Sequence, residues 1–316
     1  MTQYLHDYSR NAIARARIGL TLNHLSALRS FSSKSIGAKF TSDYKIYATD
    51  GVKVISYFHD IPLNLDTSLW TATMVVEVPR WSNAKFEIDT KTPGNPIVQD
   101  VKNGKVRFVK NLFPYHGYIH NYGAFPQTWE NPKQKSNIDG LIGDGDPLDV
   151  CEIGSEILAT GSTSTIKILG SLALVDDGEL DWKVIVINTK DPLADRIHDI
   201  KDVQAVLPGL LDATREWFAD YKLPDGKPKN KFALEGQYRG LQETLEVVME
   251  CHESWNKLVS GEIDASEFAT DTVTLQGRPK YVESFSFQSD VMESKAEEDA
   301  TIPKEISSIY FRTKEN

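Results

Sequence analysis

The residues best suited to chemistry form an acidic loop, Gly143–Val150, that carries three aspartates. Asp144 and Asp146 are two positions apart, so in an extended chain their side chains share one face. Asp149 would face the other way in a straight strand, but the two glycines and the proline of the loop favour a turn that brings it back. Three converging carboxylates repel one another unless cations lie among them. An all-oxygen set suits Mg²⁺, Mn²⁺ or Ca²⁺ better than zinc. The loop therefore predicts a divalent-cation site, and a purely turn-forming role is the alternative.

A calcium EF-hand does not explain the loop. If Asp144 is taken as the first position of the calcium loop, Asp149 occupies the position of the turn glycine and Ser155 occupies the bidentate twelfth position.

A second acidic segment, Val175–Lys183, lies between two strand-like runs. If those runs pair as a hairpin that turns at Asp177-Gly178, Asp176 and Asp181 meet at its mouth and Lys183 lies beside Asp181. By itself such a hairpin loop is usually solvated. Two acidic clusters in one domain nevertheless predict a site for several cations.

Cationic and phenolic side chains on or beside predicted strands could bind an anion. Lys85 and Glu87 alternate with an apolar residue and so share one strand face, and Arg107 lies on another run. The Tyr- and His-rich segment Phe113–Ala124 and the pair Tyr221-Lys222 add donors for phosphate oxygens. For strand lysines and arginines, a solvated surface position is the alternative.

Composition excludes several classes of protein. The 316 residues carry a net charge of −10, which disfavours a nucleic-acid binder. The two cysteines, Cys151 and Cys251, are far apart, so neither a disulfide scaffold nor a structural zinc site is expected. His116 and His120 lack a Glu or Cys partner for zinc, and packing roles are favoured. No apolar run of 18 or more residues occurs, and no phosphate-binding, dinucleotide-binding or serine-nucleophile loop motif occurs.

The elements that must position these residues are mainly strands. Short β-branched runs bounded by turn residues favour a closed barrel, and Asn103-Gly104 predicts a hairpin turn. Two helical segments follow, one at 201–221 that is divided at Pro208 and one at 238–260 that stops at Gly261. We therefore predict a mainly β fold with flanking helices. The strand-like runs lie at 73–79, 105–110 and 166–175.

Both ends of the chain differ from its middle. Residues 1–35 are rich in Arg and Ser and contain a single acid, which is typical of a mitochondrial transit peptide; a disordered basic arm is the alternative. Residues 263–316 are polar and acidic, and we expect a partly extended tail there. The catalytic domain is predicted between them, at 36–262.

Asp144-Gly-Asp-Pro-Leu-Asp149 resembles the Asp-x-Asp-Pro-x-Asp signature of the soluble family I inorganic pyrophosphatases. Four further segments resemble the longer fungal and animal branch of that family. The resemblance covers roughly residues 40–260, and a basic leader on this core resembles the mitochondrial member. The four segments are Val76–Trp81, Lys105–Val109, His116–Glu130 and Asp176–Lys183.

The resemblance implies a five-stranded, OB-like β-barrel core. It also implies hydrolysis of pyrophosphate to two phosphates by metal-activated water in a multi-Mg²⁺ site, with Mn²⁺ as a possible substitute. The biological role would be removal of pyrophosphate made by biosynthesis in the mitochondrial matrix. A homodimer is implied as well, with Arg80, Trp81 and His116 near its interface, and neither a nucleic-acid partner nor an integral membrane segment is expected.

Carried over position by position, the resemblance gives each candidate residue a role. Asp144, Asp149 and Asp181 would hold one Mg²⁺, and Asp149 would also hold a second. Asp146 would accept a proton from the attacking water. Asp176, with Asp181, would hold an ion that arrives with substrate, and Glu77 and Glu87 would support the metal and water shell. Tyr118, which would lie near the phosphates, and Arg107 would be catalytic residues beside Asp146. The phosphates would be bound by Lys85, Arg107, Tyr122, Lys183, Tyr221 and Lys222.

Two rival functions remain open at this stage. One is a metal-dependent hydrolase of nucleotides or other phosphate esters, which should need a pocket for base or sugar. The other is a non-catalytic OB-type module that binds nucleic acid or polyphosphate, which has no need of paired aspartate clusters.

Overall fold

The computed structural model describes residues 31–313. The predicted leader therefore lies outside the described residues, apart from its last positions. The strands, numbered in chain order, are β1 (Ser32–Ile36), β2 (Lys45–Thr49), β3 (Val54–Ile55), β4 (Thr71–Val78), β5 (Phe86–Ile88), β6 (Ile97–Gln99), β7 (Val101–Lys102), β8 (Lys105–Val106), β9 (Asn111–Leu112), β10 (Asn121–Ala124), β11 (Asp149–Glu152), β12 (Thr163–Asp176), β13 (Glu179–Asn188), β14 (Lys231–Phe232) and β15 (Ile309–Tyr310). The α-helices are α1 (Ile200–Val206), α2 (Leu210–Asp220), α3 (Leu241–Ser260) and α4 (Gln288–Met292).

Five of these strands pair in a ring. β13 lies beside β11, followed by β10, β4 and β12, and β12 pairs back with β13. The β11–β13 pair is parallel, and the other four pairs are antiparallel. Residues 72–78 of β4 and 168–174 of β12 are buried, because one strand face lines the ring and the other is covered by packed elements. The mainly β fold with flanking helices is confirmed.

Two hairpins form at the turns that the sequence predicts. Asn103 and Gly104, with φ of 53° and 72°, connect β7 to β8. Asp177 and Gly178, with φ of 47° and 99°, connect β12 to β13. Positive φ at both central residues matches the right-handed twist of the flanking strands, which is why Asn-Gly and Asp-Gly recur in such turns. The second hairpin places its acidic residues at one edge of the ring.

The helical segments also form, with one shift of boundary. The sequence predicts a long helix that begins at Pro208, but α2 begins at Leu210. Gly209, at φ 87°, adopts a left-handed conformation that cannot continue into a helix. Helix α3 buries Leu245 and Val248 against the outer face of the barrel, and it ends at Gly261, which is also left-handed.

A second, smaller sheet packs beside the ring in the order β1-β2-β6-β5, and β3 pairs with β2. Its first strand pairs residue by residue with β2, from Ser32 opposite Thr49 to Ile36 opposite Lys45. The leader boundary predicted at residue 35 therefore falls inside a strand of the folded domain.

The C-terminal segment packs back on the domain. Val273, Phe285 and Ile306 belong to the core, and β15 pairs in parallel with β9. Asp60, only 4% exposed, accepts hydrogen bonds from the backbone N–H of Val273 (3.1 Å) and of Thr274 (3.0 Å). The segment that the sequence sets apart as a tail thus completes the core. None of the helices between residues 31 and 313 is both long enough and apolar enough to cross a membrane.

Candidate active site

A cavity of about 110 Å³ collects the side chains that the sequence analysis singles out. Every predicted site residue lines it except Lys222, whose ammonium group forms an ion pair with the lining residue Asp176. The lining comes from strands that meet at one edge of the ring. β4 contributes Glu77, β10 contributes Tyr122 and β13 contributes Lys183.

The acidic loop turns as its glycines predict. Gly145 has φ of 89°, and its N–H donates to the carbonyl oxygen of Glu130 over 2.9 Å. In return the N–H of Glu130 donates to the carbonyl oxygen of Asp146, also over 2.9 Å. Asp149 begins β11, where it pairs with Lys183 of β13. These contacts fix the loop so that Asp144, Asp146 and Asp149 all line the cavity.

Lys183 is the cation of this acidic side of the cavity. Its side chain is 3% exposed and forms ion pairs with Asp149 and Asp181. Its ammonium group also donates to the hydroxyl of Tyr122 (3.0 Å), which in turn donates to Asp149. Burial lowers the pKa of a lysine, but the two carboxylates outweigh burial and hold the pKa of Lys183 well above its usual value.

Asp144 and Asp146 of the acidic loop hold protons more tightly than aspartates normally do. Burial, with the charges of Asp146 and Asp149, raises the pKa of Asp144 to about 8. Burial, with the charges of Glu87 and Asp149, raises the pKa of Asp146 to about 7. Near neutral pH these groups therefore exchange protons readily, and a bound cation would favour their charged forms.

Glu130 joins this cluster although sequence reasoning assigns it no role. Carboxylate oxygens of Glu130, Asp144 and Asp181 all lie within 4.8 Å of one another. Burial and its acidic neighbours raise the pKa of Glu130 well above its usual value. Its only sequence signal is its place at the end of the His116–Glu130 segment. An all-oxygen cluster of this kind fits a hard divalent cation.

Glu77 and Glu87 lie on neighbouring strands at the border between the two sheets. Glu77 is 3% exposed and accepts a hydrogen bond from the N–H of Ile88 over 2.8 Å. Burial and the charge of Asp149 raise its pKa well above the usual value. Glu87 forms an ion pair with Lys85, as expected from their shared strand face.

The opposite side of the cavity carries cations that already have carboxylate partners. Asp100 lies 3.1 Å from Lys85 Nζ and 2.9 Å from Arg107 Nη1, so one carboxylate holds both side chains. Sequence reasoning missed Asp100, an isolated acid between β6 and β7. Lys222 pairs with Asp176 at the end of β12.

Three tyrosines also line the cavity, and the hydroxyl of one of them, Tyr122, donates to Asp149 among the carboxylates. Tyr118 packs on Tyr122 and on Trp217, with ring centroids 5.2 Å apart in both cases, and Tyr221 stacks on Trp217 at 5.0 Å. Burial raises the pKa of each phenol, so all three keep the O–H that an oxyanion needs as donor.

Neither histidine of the Tyr- and His-rich segment lines the cavity. His120 is buried and its Nε2 lies 2.7 Å from the hydroxyl of Thr214, whereas His116 Nδ1 lies 3.0 Å from the carbonyl oxygen of Trp81. His120 therefore packs inside the domain, whereas His116 is exposed.

Comparison with known proteins agrees with this geometry. The family model described as inorganic pyrophosphatase matches residues 74–256. The chain is 50% identical to the inorganic pyrophosphatase of Kluyveromyces lactis over 283 residues, covering 89% of this chain and 98% of the relative. It is also 50% identical over 279 residues to the Saccharomyces cerevisiae protein named inorganic pyrophosphatase, mitochondrial, covering 84% of this chain and 90% of the relative.

Among solved structures, the inorganic pyrophosphatase of Schistosoma japonicum superposes with a TM-score of 0.82 at 40% identity, covering 89% of this chain and 100% of that chain. The acidic signature, the ring of strands and these similarities agree. The chain belongs to the family I inorganic pyrophosphatases.

Proposed function

We propose that this protein hydrolyses inorganic pyrophosphate to two phosphates with water activated by Mg²⁺. The observation that carries the proposal is that two kinds of side chain line one small cavity. We call its carboxylate-rich part the carboxylate side, and the part that presents Lys85, Arg107 and phenolic hydroxyls the phosphate side. Pyrophosphate with divalent cations fits both sides at once, because the cations neutralise the carboxylates and the substrate neutralises the cations.

On the carboxylate side, Asp144, Asp149 and Asp181 are the proposed ligands of one Mg²⁺, and Asp149 is shared with a second. Asp176 and Asp181 would hold an ion that enters with substrate, while Glu77 and Glu87 hold the surrounding water shell. When bound, such cations lower the pKa of water and stabilise charge on the phosphoryl oxygens. Mn²⁺, which accepts the same oxygen ligands, is the expected substitute.

Asp146 is the proposed proton acceptor. It lines the cavity together with the other carboxylates, and in the metal-free protein burial and the charges of Glu87 and Asp149 raise its pKa to about 7. A carboxylate with such a pKa can take a proton from the attacking water and release it again at little cost.

On the other side, Lys85, Arg107 and Lys222 would bind the phosphate oxygens, and Lys183 would bind them from within the carboxylate side. Tyr118, Tyr122 and Tyr221 add neutral donors. Ion pairs with Asp100 and Asp176 fix the lysine and arginine side chains before substrate arrives. Donors held in place act on the developing charge without reorganising first.

Phosphate release from pyrophosphate, with and without Mg²⁺, tests the proposal. We expect Mg²⁺-dependent release that falls by about 10²- to 10⁴-fold in Asp146→Asn, the range that positioned proton acceptors contribute. Asp139→Asn is the matched control, because Asp139 is exposed and does not line the cavity. Absence of release by the folded wild type with several divalent cations would contradict the proposal. Preferential release from a nucleotide would favour the phosphate-ester rival instead.

We also propose a homodimer formed through the surface around Trp81. Trp81 is 56% exposed, and the guanidinium of Arg80 lies over its ring at 5.9 Å. A groove of about 630 Å³ beside it is lined mainly by apolar groups, including Ile119 and Val206. Light scattering at micromolar concentration should give twice the monomer mass, and Trp81→Glu should halve it. A monomeric wild type would contradict this proposal.

For localisation, we propose that the Arg- and Ser-rich leader directs the protein to the mitochondrial matrix, where it would remove pyrophosphate made by biosynthesis. The relative named mitochondrial supports this, as does the basic composition before residue 31. Because β1 belongs to the folded sheet, we place the end of the leader before Ser32. Import of a fluorescent protein fused to residues 1–31 tests the proposal, and retention of the fusion in the cytosol would contradict it.

A further inference from the structure

Glu130 lies behind the acidic loop and is tied to it by its backbone on both sides. Its N–H donates to the carbonyl oxygen of Asp146, and its carbonyl oxygen accepts from the N–H of Gly145, both over 2.9 Å. The residue is 4% exposed. Any movement of the loop therefore moves Glu130, and the reverse also holds.

The two oxygens of its carboxylate have different surroundings. Oε1 accepts a hydrogen bond from the N–H of Trp182 over 3.0 Å. Oε2 is buried and has no hydrogen-bond partner among residues 31–313. A buried carboxylate oxygen without a partner is costly, and native proteins keep one where a ligand, an ion or water completes it.

The neighbours of this carboxylate indicate what completes it. Oxygens of Glu130, Asp144 and Asp181 lie within 4.8 Å of one another. Oxygens around one Mg²⁺ lie roughly 3 to 4 Å apart, given metal–oxygen distances near 2.1 Å, so a slight contraction of the cluster would suit the ion. Among the three, only Asp181 already has a cationic partner in the described chain, namely Lys183.

We propose that Glu130 is a further carboxylate of the cation site, completing the coordination of the innermost ion together with Asp144 and Asp181. The identity of that ion as Mg²⁺ rests on the proposed function, whereas the role of Glu130 in holding a divalent cation does not. Through its backbone bonds to Gly145 and Asp146, Glu130 also couples occupancy of this ion to the position of Asp146.

A competing explanation is that a water molecule in a neighbouring cavity hydrates Glu130 Oε2. Glu130 is not part of the lining of the first cavity but borders a second one of about 340 Å³, which is also lined by Glu250, Cys251 and Lys257. A water molecule entering there could satisfy Oε2 without any cation. The two explanations differ in what happens when the charge of Glu130 is removed.

The test is Mn²⁺ binding to metal-free protein, measured by electron paramagnetic resonance, in wild type and Glu130→Gln. Glutamine keeps the size of the side chain and an acceptor for Trp182 N–H but removes the charge. We expect the tightest Mn²⁺ site to weaken about 10- to 100-fold, the usual loss when a supporting group of a metal site is removed. We also expect the melting temperature of the metal-free protein to rise while the gain on adding Mg²⁺ shrinks.

Glu250→Gln is the matched control, because it makes the same change at another residue that lines the second cavity. It should leave Mn²⁺ affinity unchanged. If Glu130→Gln does not fold, Glu130→Asp keeps the charge but withdraws it from the cluster, and it should also weaken the tightest site. Unchanged Mn²⁺ affinity in the folded Glu130 variants would overturn the inference.

This experiment contains no pyrophosphate, so its outcome is separate from the proposed activity. Weakened Mn²⁺ binding in a chain that does not hydrolyse pyrophosphate would sustain the role of Glu130 and remove the proposed function. Unchanged Mn²⁺ binding in the Glu130 variants of a chain that does hydrolyse pyrophosphate would remove the role of Glu130 and sustain the proposed function.

Discussion

The two sides of the cavity balance their charges in different ways. On the phosphate side, Lys85 and Arg107 share Asp100, while Lys85 and Lys222 also pair with Glu87 and Asp176 of the carboxylate side. On the carboxylate side, Lys183 pairs with Asp149 and Asp181. Between residues 31 and 313, no cation forms an ion pair with Asp144, Asp146 or Glu130. One side is balanced before any ligand arrives, and the other carries excess negative charge.

The two sides of the cavity are therefore prepared for their ligands in different ways. The ion pairs of the phosphate side fix donors in place, so that substrate meets them preorganised. The carboxylate side stores repulsion among acids that range from buried to exposed, and cations relieve that repulsion when they bind. An acidic protein can thus bind an anionic substrate, because its metals invert the local charge.

The largest expected effect comes from neutralising one acid on the carboxylate side. In Asp144→Asn we expect activity to fall on the order of 100-fold or more, because a proposed metal ligand is lost. The same change should raise the free energy of unfolding of the metal-free protein, because repulsion in the cluster falls. Phosphate release and urea denaturation in the presence of a chelator measure the two quantities.

A lower free energy of unfolding for metal-free Asp144→Asn than for the metal-free wild type would contradict this prediction. It would mean that repulsion among the carboxylates does not destabilise the metal-free protein. Asp139→Asn, outside the cavity, should change neither quantity.

Neutralising an acid on the phosphate side should have the opposite effect on stability. In Asp100→Asn, Lys85 and Arg107 lose their shared partner, and the free energy of unfolding should fall by about 1 kcal/mol, a value that allows for the partial exposure of these side chains. We expect KM for pyrophosphate to rise about tenfold, equivalent to about 1.4 kcal/mol of lost binding, with a smaller change in kcat.

Mn²⁺ affinity provides the contrast for Asp100→Asn, because the substitution lies on the other side of the cavity. We expect it to stay at the wild-type value. A loss of Mn²⁺ affinity comparable to the rise in KM would show that the two sides are coupled rather than separate.

Local sequence signals predicted much of this arrangement. The hairpin turns at Asn103-Gly104 and Asp177-Gly178 formed because a positive φ at two adjacent residues needs those residue types. The acidic loop was recognisable because its glycines bend a short segment, so the contacts that matter lie within a few positions. The many short strands and turns favoured a closed barrel, whereas the number of strands follows from the family resemblance, since strand pairing between distant segments has no local signal.

The residues missed by sequence reasoning depend on which side chains meet across paired segments. Asp100 reaches Arg107 across the β7–β8 hairpin and Lys85 from the neighbouring strand. Glu130 reaches Asp181 because the acidic loop and β13 fold over it. The C-terminal segment looked like a tail because it is polar, yet a few buried residues and the contacts of Asp60 are enough to hold it on the core.

The smallest expected effect is the dependence of metal stabilisation on pH. The pKa values of Asp144 and Asp146, about 8 and about 7, lie above the ordinary 3.8, so from pH 4 to pH 8 these two groups bind more protons in the folded metal-free protein than in the unfolded chain. Their contribution to stability must therefore fall as pH rises through that window. Mg²⁺ competes with those protons for the carboxylates. The gain in melting temperature on adding Mg²⁺ should therefore be small at pH 5 and several °C larger at pH 8. In a domain of this size, 1 kcal/mol shifts the melting temperature by about 2–4 °C. Circular dichroism melts at both pH values, with K⁺ at equal ionic strength as control, measure this gain. An equal gain at pH 5 and pH 8 would mean that the carboxylate side is already ionised without metal, and that repulsion between its carboxylates does not raise these pKa values.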